Sequence, residues 1–190
     1  MRIGILGGTF NPVHIGHLIL AEEALCKLRL EKVIFVPAYL PPHKEEEKIL
    51  DANHRFKMVA LAIEGNPKFQ VSKVEIDARQ TSYSIETIKK LKGHFGPNTE
   101  IFFITGSDSL KELFSWRKID EIFELSNFIV ARRPGFPVSE APKKVEVVAI
   151  TGVEISSSDI RKRLKERKSI RYLVPDKVLA YIEKNKLYAL

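Results

Sequence analysis

Short apolar runs and longer apolar-periodic segments alternate along this chain. The short runs are rich in β-branched residues and predict strands, whereas apolar positions spaced three and four apart predict helices. The predicted strands are Ile3–Leu6, Val33–Val36, Phe69–Ile76, Ile101–Thr105, Phe128–Ala131 and Val145–Ile150, and the helices between them are Leu18–Leu28, Ala52–Glu64 and Ile85–Phe95. This alternation predicts an α/β fold with a doubly wound parallel sheet, which binds ligands beyond the carboxyl ends of its strands.

The pattern changes after residue 155, where the remaining segments are helical. Ser156 or Ser157 is a plausible N-cap, and Pro175 suits the start of a further helix. We therefore expect residues 1–155 to form the sheet domain and residues 156–190 to form a small C-terminal helical subdomain packed on it. Two proline-containing stretches, 37–51 and 132–144, predict loops, and the first is expected to be a mobile surface segment.

The composition is that of an ordinary globular protein, with 44% hydrophobic and 29% charged residues among 190. No apolar run approaches the roughly 20 residues that a membrane helix needs, and no leader pattern opens the chain. We therefore expect a cytoplasmic protein without a membrane partner. The single cysteine, Cys26, lies in the first apolar-periodic helix, where we expect a small core residue.

The formal net charge of +7 is concentrated near the C-terminus. Residues 161–190 contain ten Lys or Arg and three acidic residues, whereas the rest of the chain is balanced. Such a segment can attract nucleic acid or polyphosphate, or it can be the solvated face of packed helices. Apolar residues recur through the same segment at helical spacing, which favours the solvated face. We therefore expect no nucleic-acid partner.

The N-terminal segment carries the clearest chemical signal. The predicted strand Ile3–Leu6 breaks at Gly7-Gly8, and strand, glycine turn and helix start follow one another within twenty residues. The free N–H groups and positive dipole at such a helix start attract anions, above all phosphates. His14 and His17 stand three apart at this end, and Gly16 between them leaves room for the close approach of a nucleotide. The segment predicts a phosphate site with imidazole donors.

The motif Gly7-Gly8-Thr9-Phe10-Asn11-Pro12-Val13-His14-Ile15-Gly16-His17 resembles the signature of HxGH nucleotidyltransferases, and most of all that of the nicotinate-nucleotide adenylyltransferase family. The further segments that fit this family are Pro41-Pro42-His43-Lys44, Thr81-Ser82-Tyr83-Ser84, Gly106-Ser107-Asp108-Ser109 with Trp116, and Ile155-Ser156-Ser157-Ser158-Asp159-Ile160-Arg161. The resemblance spans nearly the whole chain. It departs at Ser158, where the family usually has threonine, and at Arg117, which follows the tryptophan.

This resemblance implies a Rossmann-like fold and the joining of ATP with nicotinate mononucleotide, giving deamido-NAD and pyrophosphate in NAD biosynthesis. A phosphate monoester attacking the α-phosphorus of ATP is largely ionised at neutral pH, so the site needs donors and alignment more than a base. The expected ATP-binding residues are Gly7, Gly8, Thr9, Phe10, His14, His17, Lys44, Gly106, Asp108, Ser156, Ser157 and Arg161, among which His14, His17 and Arg161 are assigned to catalysis. Mg²⁺ is expected to arrive with the ATP phosphates, without a dedicated protein metal site.

The mononucleotide is expected to bind Thr81, Ser82, Tyr83, Asp108, Trp116 and Arg117. In the resembled family the tryptophan stacks on the pyridine ring, the Thr81–Tyr83 segment binds the nicotinate carboxylate, and the region of Asp108 binds ribose. Simpler interpretations stay open for the same residues. Trp116 can be a core residue, Lys44 can be part of a polar loop, Ser156 and Ser157 can merely cap a helix, and two histidines at this spacing can share a metal ion.

Other functions fit part of the sequence. Pantetheine-phosphate adenylyltransferases and glycerol-phosphate cytidylyltransferases share the HxGH start but lack the Thr81–Tyr83 segment together with Trp116. Class I aminoacyl-tRNA synthetases share His14-Ile15-Gly16-His17, yet this chain has no KMSKS-like loop. A non-catalytic nucleotide- or RNA-binding module is a further alternative. The expected partners are ATP and nicotinate mononucleotide, and a homo-oligomer is possible.

Overall fold

A computed structural model describes residues 1–42, 49–132 and 141–188, apart from the side chains of residues 108, 109 and 111. Its strands are β1 (Arg2–Gly8), β2 (Lys32–Pro37), β3 (Phe69–Val71), β4 (Glu100–Gly106), β5 (Asn127–Arg132) and β6 (Val145–Ala149). Its α-helices are α1 (Ile15–Lys27), α2 (Ala52–Ala62), α3 (Ser84–Phe95), α4 (Ile119–Leu125), α5 (Ser157–Lys165) and α6 (Asp176–Lys184), and a 3-10 helix spans Ser107–Ser115 before α4.

The strands form one parallel sheet in the order β3-β2-β1-β4-β5-β6. The chain runs outward from β1 through β2 to β3 and then returns to β4 on the other side of β1. The order of the strands therefore reverses between β1 and β4, which is where such a sheet opens a crevice for ligands. The predicted α/β fold is confirmed as a Rossmann-like, doubly wound sheet.

Helices cover both faces of the sheet. One buried cluster joins Leu6, Phe35 and Ile104 to α1, α2, α5 and α6, and the other joins Ile5, Ile34 and Phe103 to α3, the 3-10 helix and α4. Successive strand residues point to opposite faces, so a strand buried on both sides must be apolar at every position. This explains why the four central strands, β1, β2, β4 and β5, contain unbroken apolar runs in the sequence.

The C-terminal helices pack on the same face as α1 and α2. Val178 and Ile182 of α6 are buried in the shared cluster, and the Ile15 N–H at the start of α1 donates to the carbonyl oxygen of Leu173 at 2.9 Å. Most of the basic residues of this segment, such as Arg167 and Lys177, lie on the exposed side. The positive charge thus coats helices whose apolar side is buried.

Two local predictions are wrong. The third strand ends at Val71 rather than at Ile76, because β3 is an edge strand that pairs with β2 over three residues and the chain then turns. Cys26 is exposed rather than part of the core. It lies one helical turn after the exposed Glu22, whereas the buried stripe of α1 runs through Leu20, Ala21, Ala24 and Leu25. Within the described ranges, none of the helices has the length and apolar character to cross a bilayer.

Candidate active site

A cavity of about 610 Å³ opens at the carboxyl ends of β1 and β4. The residues that line it come from the glycine turn, the loop after β2, the start of α3 and the 3-10 helix. They are Gly7, Gly8, Thr9, Ala38, Pro41, Pro42, Glu75, Ser82, Tyr83, Ser84, Phe103, Thr105, Glu112, Ser115, Trp116, Arg117 and Ile122. The reversal of strand order therefore brings the predicted phosphate turn opposite the predicted pyridine-binding residues.

The predicted strand, glycine turn and helix follow one another in the structure. β1 ends at Gly8, Phe10 adopts a left-handed backbone with φ of 48°, and α1 begins at Ile15. The Phe10 side chain is buried and packs edge-on against the His17 ring, with ring centroids 5.0 Å apart. A buried aromatic side chain thus anchors the turn whose backbone faces the cavity.

Two glycines of the motif make room for protein side chains. A Cβ atom at Gly16 would lie 3.0 Å from His14 Nδ1, and one at Gly8 would lie 3.1 Å from the Phe10 ring. Both distances are shorter than ordinary carbon contacts, so a larger residue would displace the ring. Gly16 therefore accommodates the ring of His14, and the close approach of a nucleotide at this position stays a prediction.

The two histidines form one unit at the start of α1. Their ring centroids lie 3.7 Å apart, and the His14 backbone N–H donates to His17 Nδ1 at 3.1 Å. Because Nδ1 accepts this bond, a neutral His17 carries its ring proton on Nε2, the nitrogen that can donate to a phosphate. His14 is 3% exposed, whereas His17 is half-buried. The arrangement orients His17 as a donor and encloses His14 behind it.

The start of α5 docks on the same N-terminal turn. The Ser156 side chain caps α5 by accepting from the Asp159 N–H, and the Ser157 hydroxyl donates to the Pro12 carbonyl at 2.8 Å. Arg161 Nη1 donates to the Asn11 carbonyl at 2.9 Å. Residues about 150 positions apart are thus joined beside the histidines. These groups border the turn and are not among the residues that line the 610 Å³ cavity.

The segment predicted to bind nicotinate lies at the start of α3. Ser82 is already engaged, since its N–H donates to the Leu40 carbonyl and its hydroxyl accepts from the Tyr39 N–H, both at 2.9 Å. Thr81 pairs with Leu40 and does not line the cavity. Among the described residues, no protein acceptor bonds the N–H groups of Tyr83 and Ser84. The N–H groups available to an anion are therefore those of Tyr83 and Ser84, at the start of α3, and not that of Ser82.

Trp116 and Arg117 line the same cavity, where the 3-10 helix ends. Trp116 is half-buried and packs edge-on against Phe103 and Phe128, with centroid distances of 5.8 and 5.7 Å. The Arg117 guanidinium carbon lies 4.7 Å from the centre of the Tyr83 ring, a cation–π distance. This contact gives Arg117 a place at the mouth of the cavity, beside the residues predicted to bind the pyridine.

Three further residues predicted to bind ATP stand in the sequence at or after the carboxyl ends of β4 and β2. Gly106 ends β4 and precedes the 3-10 helix that contains Asp108, so the backbone of this segment lies where the strand order reverses. The side chain of Asp108 lies outside the described residues, as does Lys44 in the loop after β2. Among the described residues, no group of three or more His, Cys, Asp or Glu is arranged to hold a metal ion.

Sequence reasoning missed two charged residues beside the cavity, the half-buried Glu75 and the buried Arg55. Glu75 lines it, accepts a hydrogen bond from the Thr87 hydroxyl, and has its pKa raised by burial. Arg55 in α2 is 1% exposed and donates to backbone carbonyls, including that of Thr9. The sequence held a signal for each residue. Glu75 stands between the apolar residues Val74 and Ile76, and Arg55 lies on the apolar stripe of the helix that also carries Val59.

Comparison with known proteins agrees with this geometry. Residues 5–163 match the family model described as cytidylyltransferase-like. The nicotinate-nucleotide adenylyltransferase of Bacillus subtilis is 43% identical over 187 residues, covering 98% of each chain. Probable nicotinate-nucleotide adenylyltransferases are 40% identical in Moorella thermoacetica, over 98% of this chain and 91% of that protein, and 43% identical in a strain of Thermus thermophilus, over 99% and 100%.

Solved structures share the fold at lower sequence identity. The nicotinic acid mononucleotide adenylyltransferase of Plasmodium falciparum, complexed with NaAD, superposes with a TM-score of 0.82 at 22% identity, over 98% of this chain and 97% of that one. A structure described as a putative nicotinate-nucleotide adenylyltransferase from Vibrio parahaemolyticus gives 0.74 at 23% identity, over 98% and 94%. At these identities the likeness concerns the fold.

Proposed function

The chain belongs to the cytidylyltransferase-like family and, within it, to the nicotinate-nucleotide adenylyltransferases, and we propose from its cavity how it joins ATP and nicotinate mononucleotide. The observation that supports the proposal is the position of the turn Gly7–Thr9 across one cavity from Tyr83 and Trp116. A phosphate-binding turn facing an aromatic wall suits a reaction between a nucleoside triphosphate and a pyridine mononucleotide.

The reaction needs alignment and charge neutralisation. A phosphate oxygen of nicotinate mononucleotide attacks the α-phosphorus of ATP, the new P–O bond forms, and the bond to the β-phosphate oxygen breaks as pyrophosphate leaves. The attacking phosphate has a second pKa near 6 and is largely ionised at neutral pH, so no side chain has to remove a proton. Hydrogen-bond donors around the α-phosphate then stabilise the negative charge that spreads in the transition state.

The phosphate side is built from the N-terminal turn and α5. The backbone N–H groups of Gly8, Thr9 and Phe10, together with His17 Nε2, bind the α-phosphate. Ser156, Ser157 and Arg161 bind the β- and γ-phosphates where α5 docks beside the histidines. Gly7 and His14 complete this side, with Lys44 reaching the phosphates and Gly106 and Asp108 reaching ribose. Mg²⁺ enters as part of the ATP substrate, held by the phosphates.

The pyridine side is built from the start of α3 and the end of the 3-10 helix. Trp116 stacks on the nicotinate ring, and the N–H groups of Tyr83 and Ser84 bind its carboxylate at the positive end of the α3 dipole. Thr81 and Ser82 hold the backbone of this segment in place through their contacts with Leu40. Arg117, resting on the Tyr83 ring, adds a positive charge near the carboxylate.

The test is pyrophosphate release with matched substrate pairs. The chain is mixed with ATP and nicotinate mononucleotide, nicotinamide mononucleotide or phosphopantetheine, and with CTP and glycerol phosphate. We expect the highest kcat/KM for ATP with nicotinate mononucleotide. Faster release with another pair would assign the cavity to a sibling reaction, and no release with any pair would favour a binding module.

A further inference from the structure

The most enclosed charged side chain of the described structure is Arg55 in α2. It is 1% exposed, and its three donor nitrogens are directed at backbone oxygens. Nη1 donates to the Thr9 carbonyl at 2.7 Å, Nε to the Leu50 carbonyl at 2.7 Å, and Nη2 to the Tyr39 carbonyl at 3.1 Å. Removing a cation from water is costly, so a buried guanidinium is tolerated only where its donors are satisfied.

Two of the three carbonyls, those of Thr9 and Tyr39, belong to segments that line the cavity. Thr9 follows the glycine turn at the end of β1, and Tyr39 and Leu50 lie on either side of residues 40–49 between β2 and α2. One side chain therefore ties α2 to the phosphate turn and to both ends of this connection. A single substitution at Arg55 would release all three segments together.

The bond to Thr9 also fixes the direction of a neighbouring donor. In a trans peptide, the carbonyl oxygen of one residue and the N–H of the next point in opposite directions. Arg55 draws the Thr9 oxygen toward α2, so the Phe10 N–H points away from α2. Among the described residues, no protein acceptor bonds this N–H. A charged donor on the carbonyl also polarises the peptide and makes its N–H a stronger donor.

The conformation at Phe10 needs such support. Its φ of 48° lies in the left-handed region, which a non-glycine residue rarely occupies without stabilisation from its surroundings. Packing of the Phe10 ring against His17 and Phe35 holds the side chain, and the Arg55 bond holds the preceding peptide. Together these contacts hold the Phe10 side chain and the Thr9–Phe10 peptide in one orientation.

We propose that Arg55 is a positioning residue for adenylyl transfer, which orients and polarises the Thr9–Phe10 peptide as a phosphate donor. The inference rests on the proposed function, since it takes the turn to bind the phosphates of ATP. Arg55 does not touch substrate and acts through the peptide. A lysine keeps the charge but lacks the planar fork that reaches three carbonyls at fixed angles, so Arg55→Lys separates the charge from the geometry.

The experiment compares Arg55→Lys and Arg55→Met with Met58→Ala. Met58 lies one turn along α2 and is fully buried, so its truncation destabilises the same helix without touching the three carbonyls. Melting temperature, kcat, and KM for ATP and for nicotinate mononucleotide are measured for each variant. The amide shift of Phe10 is followed by NMR in the wild type and in Arg55→Lys during titration with ATP in the absence of nicotinate mononucleotide.

We expect Arg55→Lys to lower kcat/KM for ATP about tenfold, a smaller loss than deletion of a transition-state donor produces, and to change KM for nicotinate mononucleotide less than about threefold. Arg55→Met should lose more if it folds. Met58→Ala should lower the melting temperature while its kinetic constants, measured well below that temperature, stay within about threefold of the wild type. The Phe10 amide should shift with ATP, and Arg55→Lys should weaken that titration.

An unchanged kcat/KM for ATP in Arg55→Lys would overturn the inference, as would equal losses for both substrates or an equal ATP defect in Met58→Ala. The NMR titration separates this failure from failure of the proposed function. If the wild type transfers adenylyl groups but ATP leaves the Phe10 amide unmoved, the function stands and the role of Arg55 is wrong. If ATP shifts the amide but no nicotinate mononucleotide is adenylylated, the function is wrong and Arg55 is still tested through ATP affinity.

Discussion

The turn between β1 and α1 is held by one buried and two half-buried side chains from distant parts of the chain, whereas the wall formed by Ser82, Tyr83, Trp116 and Arg117 is half-buried or exposed. Arg55 bonds the Thr9 carbonyl, Arg161 bonds the Asn11 carbonyl, and the Tyr188 hydroxyl bonds the Asn11 side chain at 2.9 Å. Burial raises the pKa of Tyr188 well above its usual range, which keeps the phenol neutral. On the other wall, Arg117 is exposed and rests on one aromatic ring.

This difference fits the roles that we propose for the two sides. Transition-state stabilisation depends on donor positions that are fixed before the substrate arrives, so the phosphate turn needs a rigid support. Recognition of a flat pyridine ring depends on an aromatic face and a few donors, and small movements there change affinity more than rate. Substitutions on the turn should therefore reduce turnover, and substitutions on the wall should raise KM for one substrate.

The largest effect is expected for His17→Ala. If His17 Nε2 donates to the transferring phosphate, its loss should cost about 3 kcal/mol of transition-state stabilisation, roughly a hundredfold or more in kcat, with a much smaller loss of ATP affinity. Single-turnover kinetics and ATP binding measure the two separately. His94→Ala, an exposed histidine at the end of α3, is the matched control. A drop in ATP affinity that accounts for the whole rate defect would remove this role.

Arg161→Ala should produce an intermediate effect. The guanidinium is expected to bind the distal phosphates, so its removal should weaken ATP and pyrophosphate about tenfold and leave nicotinate mononucleotide nearly unchanged. Calorimetric binding of each ligand provides the comparison. Arg163→Ala removes a charge two residues along the same helix, where it pairs with Asp159, and should affect neither ligand. Similar losses for both substrates would indicate that α5 had shifted.

Trp116 tests the pyridine wall with a smaller effect. It is the chain's single tryptophan, so its fluorescence reports one place, and stacking should make nicotinate mononucleotide quench it while ATP alone does not. Trp116→Ala should raise KM for the mononucleotide by about 0.5–1.5 kcal/mol, roughly two- to tenfold. Phe114→Ala, at the 73% exposed neighbour, should change neither property. Quenching by ATP and not by the mononucleotide would contradict the assignment.

The smallest expected effect concerns the pH dependence of stability at Glu75. Burial raises the pKa of this carboxyl above its ordinary value of 4.5, so the folded state prefers the neutral form. Glu75 should therefore reduce the free energy of unfolding progressively as pH rises from the ordinary pKa through the folded one. Urea unfolding measures the free energy of unfolding of the wild type and of Glu75→Gln over this pH range. This free energy should fall with rising pH only in the wild type, and Asp77→Asn, at an exposed carboxyl, is the control. A pH-independent difference between the two curves would contradict the shift.

Much of the fold could be predicted because its signals are local. An apolar run such as Val33–Val36 indicates a strand buried on both faces, and the Ser156 cap indicates where a helix begins, since each depends on neighbours within a few residues. The exposure of Cys26 was also local information, because the helical period places it on the stripe of Glu22. The prediction for Cys26 was wrong because it relied on the usual burial of cysteine and not on the position of this residue around the helix.

The candidate site was predictable as a set of residues and less so as an arrangement. The motif Gly7–His17 and the segments Ser82–Tyr83 and Trp116–Arg117 converge because parallel strands end on one edge, and β1 and β4 are neighbours. The engaged Ser82 N–H was not predictable, because it depends on the loop after β2 pairing with residues more than forty positions away. Lys44 and the Asp108 side chain stay predictions.

The sequence by itself determined the alternation of strands and helices, the helix starts and the chemistry of the N-terminal motif, because period, capping and residue type act over a few positions. Only the tertiary structure decided that Arg55 is buried against three carbonyls, that Gly16 makes room for His14, and that Arg161 reaches Asn11. These contacts join segments through packing and strand order. Their partners are set by three-dimensional proximity, which no local pattern encodes.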